Sequence, residues 1–385
     1  MPTLGPDALV HAQRCHEMLR DEIRANGGWI PFSHFMDRVL YTPGLGYYAA
    51  GARKFGAAGD FVTAPEISAL FGACVARAIS ETVVQTGGNV LELGPGSGKL
   101  AVDVLRALDE AGALPEKYLL LEVSADLRQR QQQRLAELPA HLFKRCEWLD
   151  TLPTAFVGAI LANEVLDVLP VSLVKYGSAA LFERGVALRG DRFIWEDVPM
   201  LPNDVCPMAD VVNRDVFEGV LPTDYLTEFA PQVPALVAAV AYCLKQGVVL
   251  WIDYGFRRAE YYHRSRNSGT LMCHYRHHAH TDPFLYPGLQ DITAHVDFSA
   301  VAQAAISAGA ELIGYTNQAN FLISAGITDF LAQHDPRDTI HYLPLTNQVQ
   351  RLVSPAEMGE LFKVIGFAKG GLNINALASA RQLPL

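Results

Sequence analysis

A glycine-rich turn between an apolar strand and an amphipathic helix constrains this 385-residue chain more than any other feature. Residues 90–93 form an apolar run, glycine stands at positions 94, 96 and 98, and apolar residues recur at helical spacing from Leu100 to Leu108. Glycine is needed where a backbone bends sharply and passes close to a ligand. The helix that follows directs its unpaired N–H groups towards that place. The pattern therefore predicts a strand–turn–helix unit that binds a ligand.

The spacing of these glycines excludes two common nucleotide-binding loops. A Walker loop would need glycine at position 93 and serine or threonine at position 100, but the chain has Leu93 and Leu100. A dinucleotide fingerprint would need a third glycine at position 99, which is Lys99.

The remaining pattern, E-x-G-x-G-x-G from Glu92, resembles motif I of class I S-adenosylmethionine (SAM) methyltransferases. The resemblance implies that Glu92 lies beneath the methionine amine. It also implies that the turn holds the cofactor through Gly94, Pro95, Gly96 and Gly98. A carboxylate at a strand end can instead be held by backbone N–H groups alone, and that alternative for Glu92 stays open.

The next apolar run, at 117–123, carries Glu122 at its end. A carboxylate in this position can accept both hydroxyl groups of a ribose. Any adenosine cofactor would explain Glu122, so the glycine spacing, and not this residue, favours SAM over NAD. Ser124 is predicted to cap the helix that follows.

Further apolar runs, at 142–148, 156–162 and 247–252, continue the alternation of strands and helices. This alternation predicts a parallel sheet with helices on both faces. In such sheets the ligand binds outside the carboxyl ends of the strands. We expect one polar sheet edge, formed by Glu92, Glu122, Asp150, Asn163, Glu164 and Asp253.

The tail completes the predicted fold. A capping box at 354–357 predicts a helix, and a strand is expected near 365–368. This ending fits the closing hairpin of a seven-stranded, mostly parallel sheet. The predicted fold is α/β, of the class I (Rossmann-like) methyltransferase type.

Two segments lie outside this alternation. Residues 1–80 are predicted to form an N-terminal helical or lid segment, interrupted at 26–31, before a methyltransferase domain at 81–385. Thr63 and Glu66 have the spacing of a capping box ahead of an apolar helix. Residues from about 171 to 230 form an inserted, β-rich flap with a hairpin turn at Gly190-Asp191, which is either functional or structural elaboration.

The amino-acid composition limits the classes of partner that the chain is expected to bind. The formal charge of −10 argues against nucleic acid and against an anionic membrane, and it is compatible with a basic protein substrate. Six cysteines without a C-x-x-C pair suit a reducing compartment. With neither a signal-peptide core nor an apolar run of membrane-spanning length, the expected location is the cytoplasm.

A histidine-rich stretch at 274–280 raises the possibility of a metal site. It has neither partnering cysteines nor a helical H-E-x-x-H pattern. We expect a polar loop over the active site and no metal.

Five motifs taken together resemble the MidA family of SAM-dependent methyltransferases. They are LELGPGSG (91–98), GDFVTAPEIS (59–68), ANEVLDVLPV (162–171), WIDYGF (251–256) and PGLQDITAHVDF (287–298). The resemblance covers roughly residues 31–370. Because an evident mitochondrial presequence is lacking, the resemblance implies a bacterial relative, with the cytoplasm of a bacterium as the expected location. It also implies a protein-arginine methyltransferase, because the family includes a mitochondrial member that methylates an arginine of a respiratory complex I subunit. A cofactor role for Thr63, Pro65 and Glu66 rests on this resemblance alone.

For catalysis, an arginine substrate calls for carboxylates, because its guanidinium is cationic and offers five N–H donors. The candidates are Glu164, Asn163, Asp253 and Asp291, with Glu164 first because this superfamily places substrate-facing residues after its fourth strand. A competing interpretation is that Glu164 caps the next helix. No general base can be assigned. The alternatives are a small-molecule methyltransferase and a non-catalytic SAM-binding assembly factor.

Overall fold

The chain folds into two compact units, each assembled from three stretches of sequence. The large-sheet unit consists of Val62–Leu166, Pro234–Gly255 and Phe298–Leu385. The small-sheet unit consists of Met1–Phe61, Asp167–Val233 and Phe256–Asp297. The structure, a computed structural model, describes residues 2–50, 62–177, 181–200 and 224–385.

The helices of the described residues are α1 (Pro6–Ala25), α2 (Phe32–Tyr41), α3 (Ala64–Ile67), α4 (Ala69–Thr86), α5 (Lys99–Glu110), α6 (Ala125–Leu135), α7 (Ala140–Phe143), α8 (Gln232–Cys243), α9 (Arg258–Tyr261), α10 (Phe298–Ser307), α11 (Gln318–Ser324), α12 (Ile327–Ala332), α13 (Thr339–Val353) and α14 (Asn375–Ala378).

The strands are β1 (Trp29–Pro31), β2 (Asn89–Leu93), β3 (Tyr118–Leu121), β4 (Cys146–Leu149), β5 (Phe156–Asn163), β6 (Ser172–Tyr176), β7 (Leu181–Arg189), β8 (Arg192–Pro199), β9 (Tyr225–Phe229), β10 (Leu244–Phe256), β11 (Met272–Tyr275), β12 (His278–His280), β13 (Asp291–Thr293), β14 (Val296–Asp297), β15 (Glu311–Asn317) and β16 (Phe362–Lys369).

The large sheet is mixed, with strand order β15-β16-β10-β5-β2-β3-β4 along its path. Neighbouring strands from β10 to β4 are parallel, and β16 runs antiparallel to both of its neighbours. In register, Leu93 of β2 lies opposite Leu121 of β3 and Ala162 of β5, and Asn163 lies opposite Ile252 of β10. The residues that follow these strands therefore emerge side by side along one edge, which is the edge that the sequence predicts.

Helices whose apolar residues recur at helical spacing cover the sheet, and their buried side chains form the core of this unit. Phe71, Val75 and Ile79 of α4 are buried in one apolar cluster with Val104 and Leu108 of α5 and with strand residues that include Val90, Leu120, Leu161 and Leu250. Helix α4 begins after Ser68, whose side chain accepts a hydrogen bond from the backbone N–H of Leu70, and it ends at Gly87 in a left-handed conformation.

The small-sheet unit has its own core and two antiparallel sheets. One sheet has the order β1-β7-β6-β9, with β8 paired to β7, and the other has the order β12-β11-β13. Apolar side chains of α1 and α2, among them Leu19, Phe32 and Phe35, are buried with Phe193 of β8. The hairpin turn predicted at Gly190-Asp191 is confirmed, because Arg189 pairs with Arg192 across it.

Several predicted elements differ from the structure. Residues 140–143 form helix α7, so the strand predicted from 142 begins only at Cys146. The capping box at 354–357 does not open a helix: α13 ends before it, with Ser354 as its C-cap, and turns follow. The histidine stretch at 274–280 is not a loop but contributes to the hairpin of β11 and β12. Thr63 makes no side-chain cap bond, so the capping box predicted there is wrong.

The predicted boundary at residue 80 and the flap at about 171–230 stay predictions about domain organisation. Residues 178–180 and 201–223 of that flap, and residues 59–61 of the GDFVTAPEIS motif, lie outside the described residues.

Two glycines allow β2, β5 and β10 to approach closely. A Cβ on Gly158 of β5 would stand 2.0 Å from the carbonyl oxygen of Asn89, and a Cβ on Gly247 of β10 would stand 1.8 Å from the carbonyl oxygen of Gly158. Gly158 also has a φ of 127°, which side chains rarely adopt.

Gly158→Ala is therefore expected to lower the thermal unfolding midpoint, because it adds both backbone strain and a steric clash, together about 2 kcal/mol or more. Gly112→Ala is the matched control: its φ is also positive, but a Cβ there would meet nothing within 4 Å. Equal midpoints for the two variants would contradict the close packing of these strands.

Candidate cofactor and substrate site

The glycine turn after β2 has the conformation that its sequence demands. Gly94, Gly96 and Gly98 have φ values of 56°, 55° and 78°, all in the left-handed region. The backbone N–H of Gly98 donates to the carbonyl of Pro95 at 2.8 Å and closes the turn. A Cβ on Gly94 would stand 3.1 Å from Cγ2 of Val165, so this glycine admits the turn that follows β5.

Glu92 is buried at the end of β2, where its carboxylate accepts a hydrogen bond from the hydroxyl of Tyr118 at 2.5 Å. Burial raises the pKa of Glu92 to about 8, and the negative charges of Glu122 and Asp103 act in the same direction. The Tyr118 hydroxyl opposes this rise. The contact of Glu92 with a cofactor amine stays a prediction.

Glu122 is also buried, and two donors fix its carboxylate. The backbone N–H of Ser124 donates to one oxygen at 2.8 Å, and the side-chain amide of Gln131 donates to the other at 2.9 Å. The predicted N-cap role of Ser124 is confirmed, since its hydroxyl accepts from the backbone N–H of Leu127 at 3.3 Å.

The conformation of α3 places Glu66 beside the glycine turn. Its carboxylate accepts hydrogen bonds from the hydroxyl of Ser97 and, at 2.9 Å, from the guanidinium of Arg134 in α6. The same guanidinium donates to the Ser97 hydroxyl at 2.7 Å. Pro65 is buried and Thr63 partly buried in the same segment. Glu66 thus links α3, the glycine turn and α6.

The turn after β5 is held by hydrogen bonds to Asp253, which lies near the end of β10. One oxygen of the buried Asp253 carboxylate accepts from the backbone N–H groups of Val165 at 3.2 Å and Leu166 at 2.9 Å, and the other accepts from the N–H of Tyr254. Glu164 has a φ of 54°, rare for a residue with a side chain, and its N–H donates to the carbonyl of Ile252.

Residues 164–170 form turns and no helix, so the interpretation of Glu164 as a helix cap is wrong. Its carboxylate accepts a hydrogen bond from the side-chain amide of Asn163 at 3.1 Å. The amide oxygen of Asn163 is buried and has no hydrogen-bond partner among the described residues.

The other two candidates differ in setting. Asp150 follows β4, is 86 % exposed and pairs with Arg128 at 2.8 Å. Asp291 belongs to the small-sheet unit, where it is buried and accepts a hydrogen bond from the hydroxyl of Tyr48 at 3.0 Å. Tyr48 stacks on Tyr41 with ring centroids 5.6 Å apart, and burial raises the Tyr48 pKa well above its ordinary value.

Within the described ranges, no group of three or more His, Cys, Asp or Glu side chains could hold a metal ion. Burial lowers the pKa of both His274 and His280. A helix with the length and apolar character needed to cross a bilayer is absent from the part of the chain that the structure describes.

Motif reasoning missed several residues that organise this edge, namely Ser97, Tyr118, Gln131, Arg134 and Trp148. Four of them make hydrogen bonds to predicted residues, and Trp148 donates to Gln131, itself one of the missed residues. A weak signal existed for Gln131 and Arg134, because polar side chains on a helix that packs beside a strand edge can face that edge. Nothing in the sequence distinguished Gln131 from its neighbours Gln132 and Gln133.

A sheet edge with a glycine turn and buried carboxylates after two neighbouring parallel strands defines an α/β protein that binds a nucleoside cofactor. Residues 73–316 match a family described as S-adenosyl-L-methionine-dependent methyltransferases. The chain belongs to this family, the MidA family of SAM-dependent methyltransferases, whose cofactor is SAM.

Solved structures and curated relatives agree with this assignment. A Burkholderia thailandensis protein whose crystal structure contains S-adenosyl-homocysteine is 48 % identical, with a TM-score of 0.92 over 99 % of this chain and 98 % of that one. A Drosophila melanogaster protein named protein arginine methyltransferase NDUFAF7 homolog, mitochondrial, is 28 % identical over 96 % of this chain and 89 % of its own. Its Danio rerio counterpart is 29 % identical over 92 % and 86 %.

The raised pKa of Glu92 makes stability depend on pH. The folded protein keeps this proton up to about pH 8, whereas the unfolded chain loses it near the ordinary value of 4.5. The stability that this group contributes is complete below the unfolded pKa and is lost as pH rises through the folded one. Glu92→Gln should therefore lose less thermal stability than the wild type between about pH 6 and pH 8. Exposed Glu137→Gln is the control, and parallel curves for all three proteins would refute the assignment.

Proposed function

We propose that the protein transfers a methyl group from SAM to a nitrogen of an arginine in a protein substrate. The observation that carries this proposal is the strained turn at Glu164, which projects from the polar sheet edge and is fixed by Asp253. A non-glycine residue in the left-handed region costs about 1 kcal/mol or more, and such strain clusters at active sites. The full-length similarity to proteins named arginine methyltransferases supports the choice of substrate.

The strand order of the large sheet supports a more specific class of methyltransferase fold. Seven strands follow one another along the path of the large sheet, and only β16 on this path runs against the others. We infer that this is the seven-stranded, mostly parallel sheet of a class I methyltransferase.

The residues at the sheet edge fit the cofactor. Three alternate glycines in the left-handed region leave the backbone of the turn without side chains at positions 94, 96 and 98, and the buried amide oxygen of Asn163 can accept a hydrogen bond. We place Glu92 against the methionine amine, the turn from Gly94 to Gly98 along the cofactor, and Glu122 at the ribose hydroxyls. Val123, apolar and 81 % exposed beside Glu122, offers a surface for the adenine ring. When bound, the cofactor would supply an electrophilic methyl on its sulfonium: the S–CH3 bond breaks as the N–CH3 bond forms, S-adenosyl-homocysteine leaves as a neutral thioether, and the methylated nitrogen loses one proton.

Glu66 has a supporting part in this proposal. Its carboxylate is bound to Ser97 and Arg134, so Glu66 would hold the glycine turn in place instead of contacting the cofactor directly. A cofactor contact of Thr63 and Pro65 in the same segment stays a prediction. Asp150, which is exposed and paired with Arg128, remains a predicted cofactor contact from the adjacent strand.

Glu164 is the residue proposed to bind the substrate guanidinium. A carboxylate can accept two parallel N–H bonds from an arginine, which fixes the plane of the guanidinium as well as its position. The amide of Asn163 donates to Glu164 and restricts its rotation. Such alignment can contribute roughly 7–11 kcal/mol to a transfer between two bound groups. Asp253 accepts three backbone N–H groups, so we assign it the role of positioning Glu164. Asp291, with Tyr48 as donor, remains a predicted substrate residue of the small-sheet unit.

Glu164→Gln tests the substrate assignment, because glutamine keeps the shape but loses the charge and one acceptor oxygen. We expect a loss of transfer on the order of 100-fold or more, as for other groups that stabilise charge in a transition state. Affinity for S-adenosyl-homocysteine should change little. The measurement is mass spectrometry of methylarginine peptides from cells that lack the gene and receive the wild type, Glu164→Gln or the exposed control Glu137→Gln. Full methylation with Glu164→Gln, or a target other than arginine, would overturn the proposal.

Proton release tests the placement of Glu92. Near neutral pH its raised pKa keeps Glu92 protonated, and an ammonium group bound beside it favours the charged form. Binding of S-adenosyl-homocysteine should therefore release a proton that Glu92→Gln cannot release. Calorimetry at about pH 7 in two buffers of different ionisation enthalpy measures the number of protons released on binding. If the variant releases as many protons as the wild type, the methionine amine does not lie against Glu92.

A further inference from the structure

One side chain that belongs to none of the motifs connects three strands of the proposed cofactor site. Gln131 lies in α6 and is fully buried. Its amide nitrogen donates to the carbonyl of Gly96 and to the carboxylate of Glu122, each at 2.9 Å, and its amide oxygen accepts from the indole N–H of Trp148 at 3.0 Å. These partners belong to the glycine turn after β2, to the end of β3 and to β4.

The chemistry of the three partners fixes the amide in one orientation. The indole of Trp148 can only donate, so the amide oxygen must face it. The Gly96 carbonyl can only accept, and a carboxylate oxygen of Glu122 accepts the other bond, so both must face the amide nitrogen. A flipped amide would lose all three bonds. The buried position of Gln131 makes such a loss costly, because unsatisfied polar groups away from water are strongly unfavourable.

The packing of the turn also depends on this residue. A Cβ on Gly98 would stand 3.4 Å from Cα and Cγ of Gln131, at ordinary van der Waals contact, so α6 lies directly against this turn. The positive φ of 78°, and not this contact, is the reason that position 98 favours glycine.

We propose that Gln131 is a positioning residue, which sets the carboxylate of Glu122 in the orientation that accepts the ribose hydroxyls of the cofactor. This inference rests on the proposed placement of the ribose at Glu122. The Ser124 N–H holds one oxygen of the carboxylate and Gln131 holds the other, so the carboxylate cannot rotate about its terminal bond. These two donors, one at each oxygen, fix the plane of the carboxylate.

Gln131→Met tests this role, because methionine has a similar length but offers no amide. The matched control is Gln132→Met, one residue further along the same helix at an exposed position. The ligands are S-adenosyl-homocysteine and its 2′-deoxy and 3′-deoxy analogues, and calorimetry gives each dissociation constant. Methyl transfer is not measured, so the result does not depend on the identity of the substrate.

The wild type should bind the hydroxylated ligand about 10-fold or more tightly than either deoxy analogue, as expected for hydrogen bonds to a charged group. In Gln131→Met this ratio should fall at least about 5-fold, while affinity for the deoxy analogues stays within about 3-fold of the wild type. Gln132→Met should keep the wild-type ratio. A variant that weakens all ligands equally would show that Gln131 only supports the fold.

Two further variants separate the possible failures. Glu122→Gln should lower the same ratio, and if it does not, the ribose is not at Glu122 and the placement of the cofactor is wrong. If Glu122→Gln lowers the ratio and Gln131→Met leaves it unchanged, only the role of Gln131 is wrong. Trp148→Phe removes the donor that orients the amide and should lower the ratio by a smaller factor. If Gln131→Met does not fold, Trp148→Phe is the variant that tests the proposal, and an unchanged ratio in Trp148→Phe would overturn it.

Discussion

The parallel pairing of β3, β2, β5 and β10 in one register is the constraint on which the rest of the structure depends. It brings Leu121, Leu93, Asn163 and Ile252 to one sheet edge, so the polar residues that follow them are neighbours without any long loop. Strand ends also leave backbone N–H groups that need acceptors. The carboxylates of Asp253 and Glu122 meet part of that need, since both accept from the backbone beside them. Some acidic residues of this edge therefore have a structural role, because they accept hydrogen bonds from its backbone.

The acidic character of this edge has an electrostatic cost that a cationic group can relieve. Glu92 is buried, and the charges of Glu122 and Asp103 further disfavour its ionisation. A positive charge brought to such a site is favoured both by direct attraction and by the easier ionisation of the carboxylates. Lys99 in the first turn of α5 already pairs with Asp103. The other acidic groups of the edge favour ligands that carry an ammonium or a sulfonium, as the cofactor does, or a guanidinium, as the proposed substrate does.

The sequence predicted the parts of this structure that depend on local spacing and missed those that depend on tertiary contacts. Glycines at 94, 96 and 98 demanded a left-handed turn, and apolar runs identified β2, β3, β5 and β10, because both signals are local. The apparent capping boxes at 63–66 and 354–357 failed because the same residue types also serve other contacts: Glu66 binds Ser97 and Arg134, and Ser354 ends a helix instead of starting one. The role of Asp253 could not be deduced either, since its partners at Val165 and Leu166 are distant in the chain.

That distance bears on how the protein is made. Val165 and Asp253 are 88 residues apart, and β10 joins the sheet beside β5 although the small-sheet strands β6 to β9 come between them in the chain. Contacts between remote segments close large loops and form late. During synthesis, the glycine turn and Glu122 can acquire their partners while the ribosome is still far from residue 253. The bend at Glu164 can be fixed only after residue 253 has been synthesised. The part of the edge proposed to bind the cofactor can therefore fold before the part proposed to bind the substrate.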